Sequence, residues 1–216
     1  MSAQTRRSAW PALLAGTLML AALQLGLRPL LPVDETRYLS VAWEMWSRGG
    51  FLVPYLNDEP YSHKPPLLFW LVHGIWALTG VSELAARLLP VLLSLLVLWL
   101  SAVLARRLWP GQGACVAPLV PWLLLGAFFW NNFFTLFQFD LLLTAAALLA
   151  WLGVLDALRS PLRGWSMTGV AIGCGVLAKG PVILVAVLPA MLLAPWWARG
   201  SKRGGWLAWY AGGLFA

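Results

Sequence analysis

The chain has 216 residues, 61% of them hydrophobic and only 11% charged, with a mean hydropathy of +0.77. That balance excludes an ordinary soluble domain and leaves a polytopic membrane protein. The net charge of +7 does not point to nucleic acid: the basic residues form small clusters between apolar runs, with no basic stripe of interleaved aromatics.

A short polar arm carrying Arg6 and Arg7 precedes an apolar run from Trp10 to Leu27. The run exceeds a usual signal-peptide core, and no small-x-small cleavage site follows it. Residues 10–31 are therefore expected to form an uncleaved first span with the two arginines inside.

Residues 32–65 follow as an outer loop. The stretch Val33–Pro66 is the only long segment that is not apolar, and it holds five of the eight acidic residues. Between Arg37 and Arg48, Ser40, Glu44 and Ser47 share one helical face, and Tyr38, Leu39, Ala42, Met45 and Trp46 share the other. This predicts an amphipathic helix lying on the membrane surface. Gly49 and Gly50 end it, and Pro54, Pro60, Pro65 and Pro66 keep the rest of the loop irregular.

The apolar stretch in residues 66–80 would be roughly 20 Å long as a helix, too short to cross a hydrocarbon core. It is expected to be interfacial or re-entrant, stopped by Gly80, with Ser82-Glu83 capping the next helix. Further spans are expected over 82–105, 114–130, 139–158, 165–178 and 181–197, and residues 206–216 read as the start of a seventh. The chain thus reads as the N-terminal part of a longer protein. In this map the inner side holds nine basic residues and one acid, and the outer side six basic residues and seven acids. That asymmetry is the one that orients membrane helices. Fifteen tryptophans suit interfacial belts. Cys115 and Cys174 have no metal-like spacing and read as small buried hydrophobes.

Four outer features carry chemistry: Asp34-Glu35-x-Arg37-Tyr38, Tyr61-x-His63-Lys64-Pro65-Pro66, Asp140, and Ala178-Lys179-Gly180-Pro181. Each has a plain alternative. Asp34 suits a helix cap as well as a base, Lys64 suits an interfacial lysine, and Asp140 with Lys179 suits a structural ion pair. Adjacent helical residues point about 100° apart. Asp34 and Glu35 therefore cannot face each other as a dyad, and one is expected to face a cavity while the other meets Arg37 or the backbone. Together, a carboxylate on one wall and cations on another suit a general base beside a lipid phosphate.

DETRY, YSHKPPLLFW and VLAKGP resemble the membrane glycosyltransferases of the dolichyl-phosphate-mannose–protein mannosyltransferase superfamily. The branch they are most similar to is the bacterial aminoarabinose (lipid A) transferase-like proteins. The resemblance implies an all-α polytopic membrane protein, a GT-C-type transmembrane helical bundle with amphipathic juxtamembrane helices in the first outer loop. It implies transfer of a sugar from a polyprenyl-phosphate-linked donor to a lipid, glycan or protein acceptor at the outer face of a bacterial inner membrane. On these terms Asp34 is the general base and Glu35 its companion. Lys64 and Lys179 hold the carrier phosphate, Arg37 and Tyr38 support the site, and Tyr61, His63 and Asp140 line it. His63 stands where that branch tends to carry an acid. The acceptor, the exact sugar and the branch's divalent metal ion therefore stay open. A transporter or lipid-handling protein without catalysis is the alternative, though transporter sites tend to lie near the midplane in broken helices. A structural membrane subunit would leave the charged loop without a purpose.

Overall fold

The computed structural model describes residues 9–198 and 206–214. Arg6, Arg7, Arg199, Lys202 and Arg203, five of the nine basic residues expected inside, lie outside the described residues.

The described chain is an all-helical bundle apart from one small hairpin. Helix α1 is Ala9–Leu27 and α2 is Asp34–Arg48; strands β1 (Tyr55–Leu56) and β2 (Glu59–Pro60) follow. Then come α3 (Leu67–Thr79), α4 (Glu83–Leu108), α5 (Gly113–Gly126), α6 (Phe128–Phe133) and α7 (Phe139–Ala157). The remaining helices are α8 (Pro161–Lys179), α9 (Val182–Leu192), α10 (Ala194–Trp197) and α11 (Trp206–Leu214).

Among the described residues, α1, α4 and α7 are long and apolar enough to cross a membrane. Of the other expected spans, α5 and α9 are shorter, and α8, though 19 residues long, is less apolar. The chain is extended at Ala127 between α5 and α6, and α5 contains Pro118 and Pro121. Helix α8 begins at Pro161, a residue with no N–H to leave unbonded in a first turn. Helix α9 contains Pro189 and ends at Leu192. Ser82 caps α4, its hydroxyl accepting from the Ala85 N–H at 3.3 Å, and Gly80 and Gly180 end α3 and α8 at positive φ.

Helices α7 and α8 form the tightest pair, and glycine permits it. A Cβ on Gly164 would lie 2.7 Å from the Ala157 Cβ and closer still to its backbone, and one on Gly153 would lie 2.8 Å from the Thr168 nitrogen. Trp165 and Trp209 pack edge to face on this pair, ring centres 4.8 Å apart.

A second core sits at the opposite end, where α2, α3 and the first turns of α4 and α7 meet around Val41, Met45, Phe69, Val72 and Phe139. Three expectations for this region change. Helix α2 starts at Asp34, not Arg37. Its apolar face is covered by protein, with Val41, Ala42 and Met45 fully buried. The amphipathic pattern that suits a membrane surface serves instead to dock α2 on α3, because a neighbouring apolar helix competes directly with lipid. The loop beyond Gly50 is not irregular throughout. Asn57 and Asp58 both have positive φ and join β1 to β2 as a two-residue turn. Glu44 of α2 steadies that turn, accepting from the backbone N–H groups of Asn57 at 2.6 Å and Asp58 at 3.3 Å. Cys115 is exposed and Cys174 partly buried, so neither is the enclosed hydrophobe expected from its surroundings.

Candidate functional site

The four charged features singled out in the sequence converge at the α2–α3 end of the bundle. Helix α2 opens the site. Val33 occupies the N-cap position, and Asp34, in the first turn, makes no capping bond. The plain alternative of Asp34 as a cap is therefore corrected: its carboxylate pairs instead with Arg37 one turn later, and the side chain is 51% exposed. A carboxylate held in the open by one exposed cation keeps lone pairs for a substrate proton.

Glu35 points the other way. It is 1% exposed, and Arg28 grips both oxygens, Nη1 at 2.9 Å and Nη2 at 3.3 Å. The backbone N–H groups of Leu31 and Phe137 donate to it at 2.8 and 2.7 Å. The expected division of labour is thus redrawn: Asp34 itself meets Arg37, and Glu35 meets Arg28 and the backbone inside the protein rather than standing beside Asp34. No sequence signal pointed to Arg28 or the Thr135–Phe137 segment. They are 7 and about 100 residues from Glu35, and no periodic pattern links them.

Tyr38 is buried, its ring edge-on to Phe139 at 5.0 Å, and the Arg37 guanidinium lies 5.4 Å from the Tyr38 ring. Burial raises the Tyr38 hydroxyl pKa, the Asp34 charge raises it further, and a hydrogen bond with Arg37 opposes both. Tyr61 is buried nearby and is also raised, first by burial, with Arg37 lowering and Asp34 raising it. Asp34, Arg37, Tyr38 and Tyr61 therefore form one electrostatic cluster. His63 is exposed, its ring 5.2 Å from that of Tyr61.

The cations gather over the first turn of α7. Lys64 Nζ lies 5.6 Å from the centre of the Phe139 ring and makes no ion pair among the described residues. Lys179, at the last turn of α8, donates to Asp140, so the structural pair expected as the plain alternative is present. Its side chains are 31% and 61% exposed, which leaves the pair open to competition from an incoming anion. The apolar cleft among Leu104, Trp151, Val154, Ala190 and Trp197 has no ionisable lining residue and holds none of this chemistry.

The branch's divalent metal is not supported by this donor set. Among the described residues no three His, Cys, Asp or Glu side chains come together, and the ring of His63 lies tilted against that of Tyr61.

Residues 63–216 match the family described as dolichyl-phosphate-mannose-protein mannosyltransferase, which is more than half of the chain. The chain belongs to this mannosyltransferase family. An undecaprenyl phosphate-alpha-4-amino-4-deoxy-L-arabinose arabinosyl transferase of Pseudomonas fluorescens is 28% identical over 198 residues, 89% of this chain and 34% of its own length. The corresponding protein of Erwinia tasmaniensis is 32% identical over 189 residues, 83% of this chain and 33% of its own. The crystal structure of ArnT from Cupriavidus metallidurans in the apo state superposes with a TM-score of 0.76 at 25% identity, covering 99% of this chain and 41% of that one. The same protein bound to undecaprenyl phosphate superposes at 0.74 and 23% identity, over 94% and 41%. The chain has the GT-C polytopic helical fold of these membrane proteins, and it spans about a third of the length of the curated relatives it matches.

Proposed function

We propose that this chain is part of a glycosyltransferase that moves a sugar from a polyprenyl-phosphate-linked donor to a hydroxyl on a lipid, glycan or protein acceptor. The observation that carries the reading is the pairing of an exposed carboxylate, Asp34, with two lysines gathered over the start of α7, in a member of the mannosyltransferase family. Asp34 takes the proton from the acceptor hydroxyl. The freed oxygen attacks the anomeric carbon and forms the new glycosidic bond with inversion. The bond from that carbon to the phosphate oxygen breaks, and polyprenyl phosphate leaves with the electron pair. Lys64 and Lys179 stabilise the charge that grows on the phosphate.

Arg37 holds Asp34 oriented through their ion pair, while Tyr38 and Tyr61 wall the site. Asp140 keeps Lys179 extended towards the cleft until a phosphate competes for it. Because relatives are arabinosyl transferases using an undecaprenyl phosphate donor, an aminoarabinose donor is the first to test, and lipid A the first acceptor. With six spans, this end lies at the periplasmic face of the inner membrane, and Arg106, Arg107 and Arg163 lie inside. A transporter gains nothing from this geometry, since the charges gather at one end of the bundle and not at its middle.

The deciding experiment supplies the purified full-length protein with undecaprenyl phosphate-linked aminoarabinose and lipid A and follows both products by mass spectrometry. Appearance of glycosylated acceptor together with free undecaprenyl phosphate supports the reading. An unchanged donor that merely crosses the bilayer of a proteoliposome overturns it.

A further inference from the structure

We propose that Glu35 is a positioning residue: with Arg28 it forms a buried clamp that sets how far the base Asp34 stands from the two lysines. This rests on the reading of Asp34 as base and of Lys64 and Lys179 as phosphate ligands.

Each Glu35 oxygen accepts one guanidinium N–H and one backbone N–H. Oε2 takes Arg28 Nη1 and the Leu31 N–H; Oε1 takes Arg28 Nη2 and the Phe137 N–H. Four donors occupy a carboxylate with about four lone-pair sites. No capacity is left for a substrate proton, and at 1% exposure no substrate reaches it. The chemistry of the site belongs to Asp34, and Glu35 acts on it from behind.

What the clamp holds is the turn between α6 and α7, where the Phe134 and Leu136 N–H groups bond locally to the Trp130 and Phe133 carbonyls and the remaining backbone groups look to side chains. Side chains from three helices and the segment after α1 supply them. Arg28 Nη2 also donates to the Thr135 carbonyl at 3.3 Å. Ser94 of α4 donates to the Phe134 carbonyl at 2.6 Å. Gln24 of α1 donates to the Asn131 carbonyl at 2.7 Å and accepts from the Thr135 hydroxyl. Arg87 of α4 anchors the whole from below, donating to the Arg28 carbonyl at 2.6 Å.

Two and three residues beyond Phe137 come Phe139, the seat of Lys64 and Tyr38, and Asp140, the partner of Lys179. One peptide bond before Glu35 comes Asp34. Besides the contact of Tyr38 with Phe139, the bond from the Phe137 N–H to Glu35 is the hydrogen bond that ties the start of α2, where the base stands, to the start of α7, where the phosphate ligands stand. A displacement near 1 Å between reacting groups costs roughly 100-fold in rate, so this bond has catalytic leverage without touching substrate.

Two variants of the full-length protein test this. Glu35→Gln sets an amide NH2 against an N–H donor. Arg28→Lys keeps the charge but has one ammonium where the clamp needs a fork, and it serves where the glutamine variant does not fold. Expected for the folded variant is a kcat lower by about 10-fold or more, with undecaprenyl phosphate itself binding within about two-fold of wild type, because both lysines remain on their α7 seats. Unchanged kcat with a lowered Tm overturns the proposal and makes the clamp a brace for stability alone. Parallel loss of kcat and of undecaprenyl phosphate binding overturns it too, since the clamp would then be shaping the phosphate site. Thermal unfolding of Arg28→Gln, Glu35→Gln and their double mutant reads the clamp independently of activity, and non-additive shifts in Tm are expected. Should the wild type transfer no sugar while that coupling persists, the catalytic reading fails, and the positioning role falls with it. Additive shifts show that no clamp exists.

Discussion

The ammonium of Lys64 stands over the Phe139 ring, 5.6 Å from its centre, one residue from the Asp140 that holds Lys179. Two cations more than a hundred residues apart in sequence are thus brought to one helix start. Lys64→Ala and Lys179→Ala are each expected to weaken undecaprenyl phosphate binding by about 10- to 100-fold. The double mutant should depart from additivity, as groups sharing one ligand do. Arg106→Ala, at the opposite end of α4, is the control. Binding to protein in nanodiscs gives the answer, and two lysine mutants that bind like wild type would remove the shared phosphate site.

Asp34 is not the cap of α2, so its carboxylate can be removed at small structural cost. Its exposed pair with Arg37 contributes at most about 1 kcal/mol. Asp34→Asn should accumulate normally and lose transfer by about 100-fold or more. Near-normal turnover in a well-expressed variant would take the general base away from this residue.

His73 of α3 gives a pH prediction. Its Nε2 lies 2.9 Å from the Ala42 carbonyl of α2, in a cage of Trp46, Phe51 and Trp76. Burial lowers its pKa below the ordinary 6.5, and the bond to Ala42 only partly opposes this. A folded-state pKa below the unfolded one means that the unfolded chain binds more protons between the two values. The stability contributed by neutral His73 is thus complete above pH 6.5 and falls as pH drops towards the folded pKa. Melting curves from about pH 8 to about pH 5 should show this loss in wild type and a flatter profile in His73→Gln. An unchanged profile in the variant would assign the loss to another group.

The α7–α8 contact predicts a contrast between two glycines of one helix. Gly164→Ala drives a methyl into the Ala157 backbone, whereas a Cβ at Gly173 meets nothing within 4 Å. The first should cost about 1–3 kcal/mol or more through overpacking, and the second should stay within about 1 kcal/mol of wild type. Thermal unfolding in detergent measures both, and equal effects would mean that the close approach is not rigid.

Orientation is testable with thiols. Cysteines at Ser62 and Ser160, both exposed, are introduced after replacing Cys174 and the exposed Cys115. An impermeant reagent applied to intact cells should label position 62 and spare 160. The reverse pattern inverts the map and moves the site to the cytoplasm.

Sequence alone determined the class and most of the helices, and it marked the charged residues from which the site is proposed. Long apolar runs admit no other solution in a bilayer, and charge in so apolar a chain is costly enough to mark function. Gly80, Ser82 and Gly180 punctuate helices as their local chemistry requires. Tertiary structure decided what each charge does. Asp34 and Glu35 are neighbours of the same chemistry, and only the helix rotation turns one to the surface and the other onto Arg28 and Phe137. The Asn57-Asp58 hairpin was expected to be irregular loop, because its strands are two residues each and depend on Glu44 from another element. The apolar face of α2 has the same pattern whether it meets lipid or protein, and the presence of α3 settled the choice. Burial and long-range hydrogen bonds depend on which segments meet, and that is a property of the folded chain, not of any local stretch.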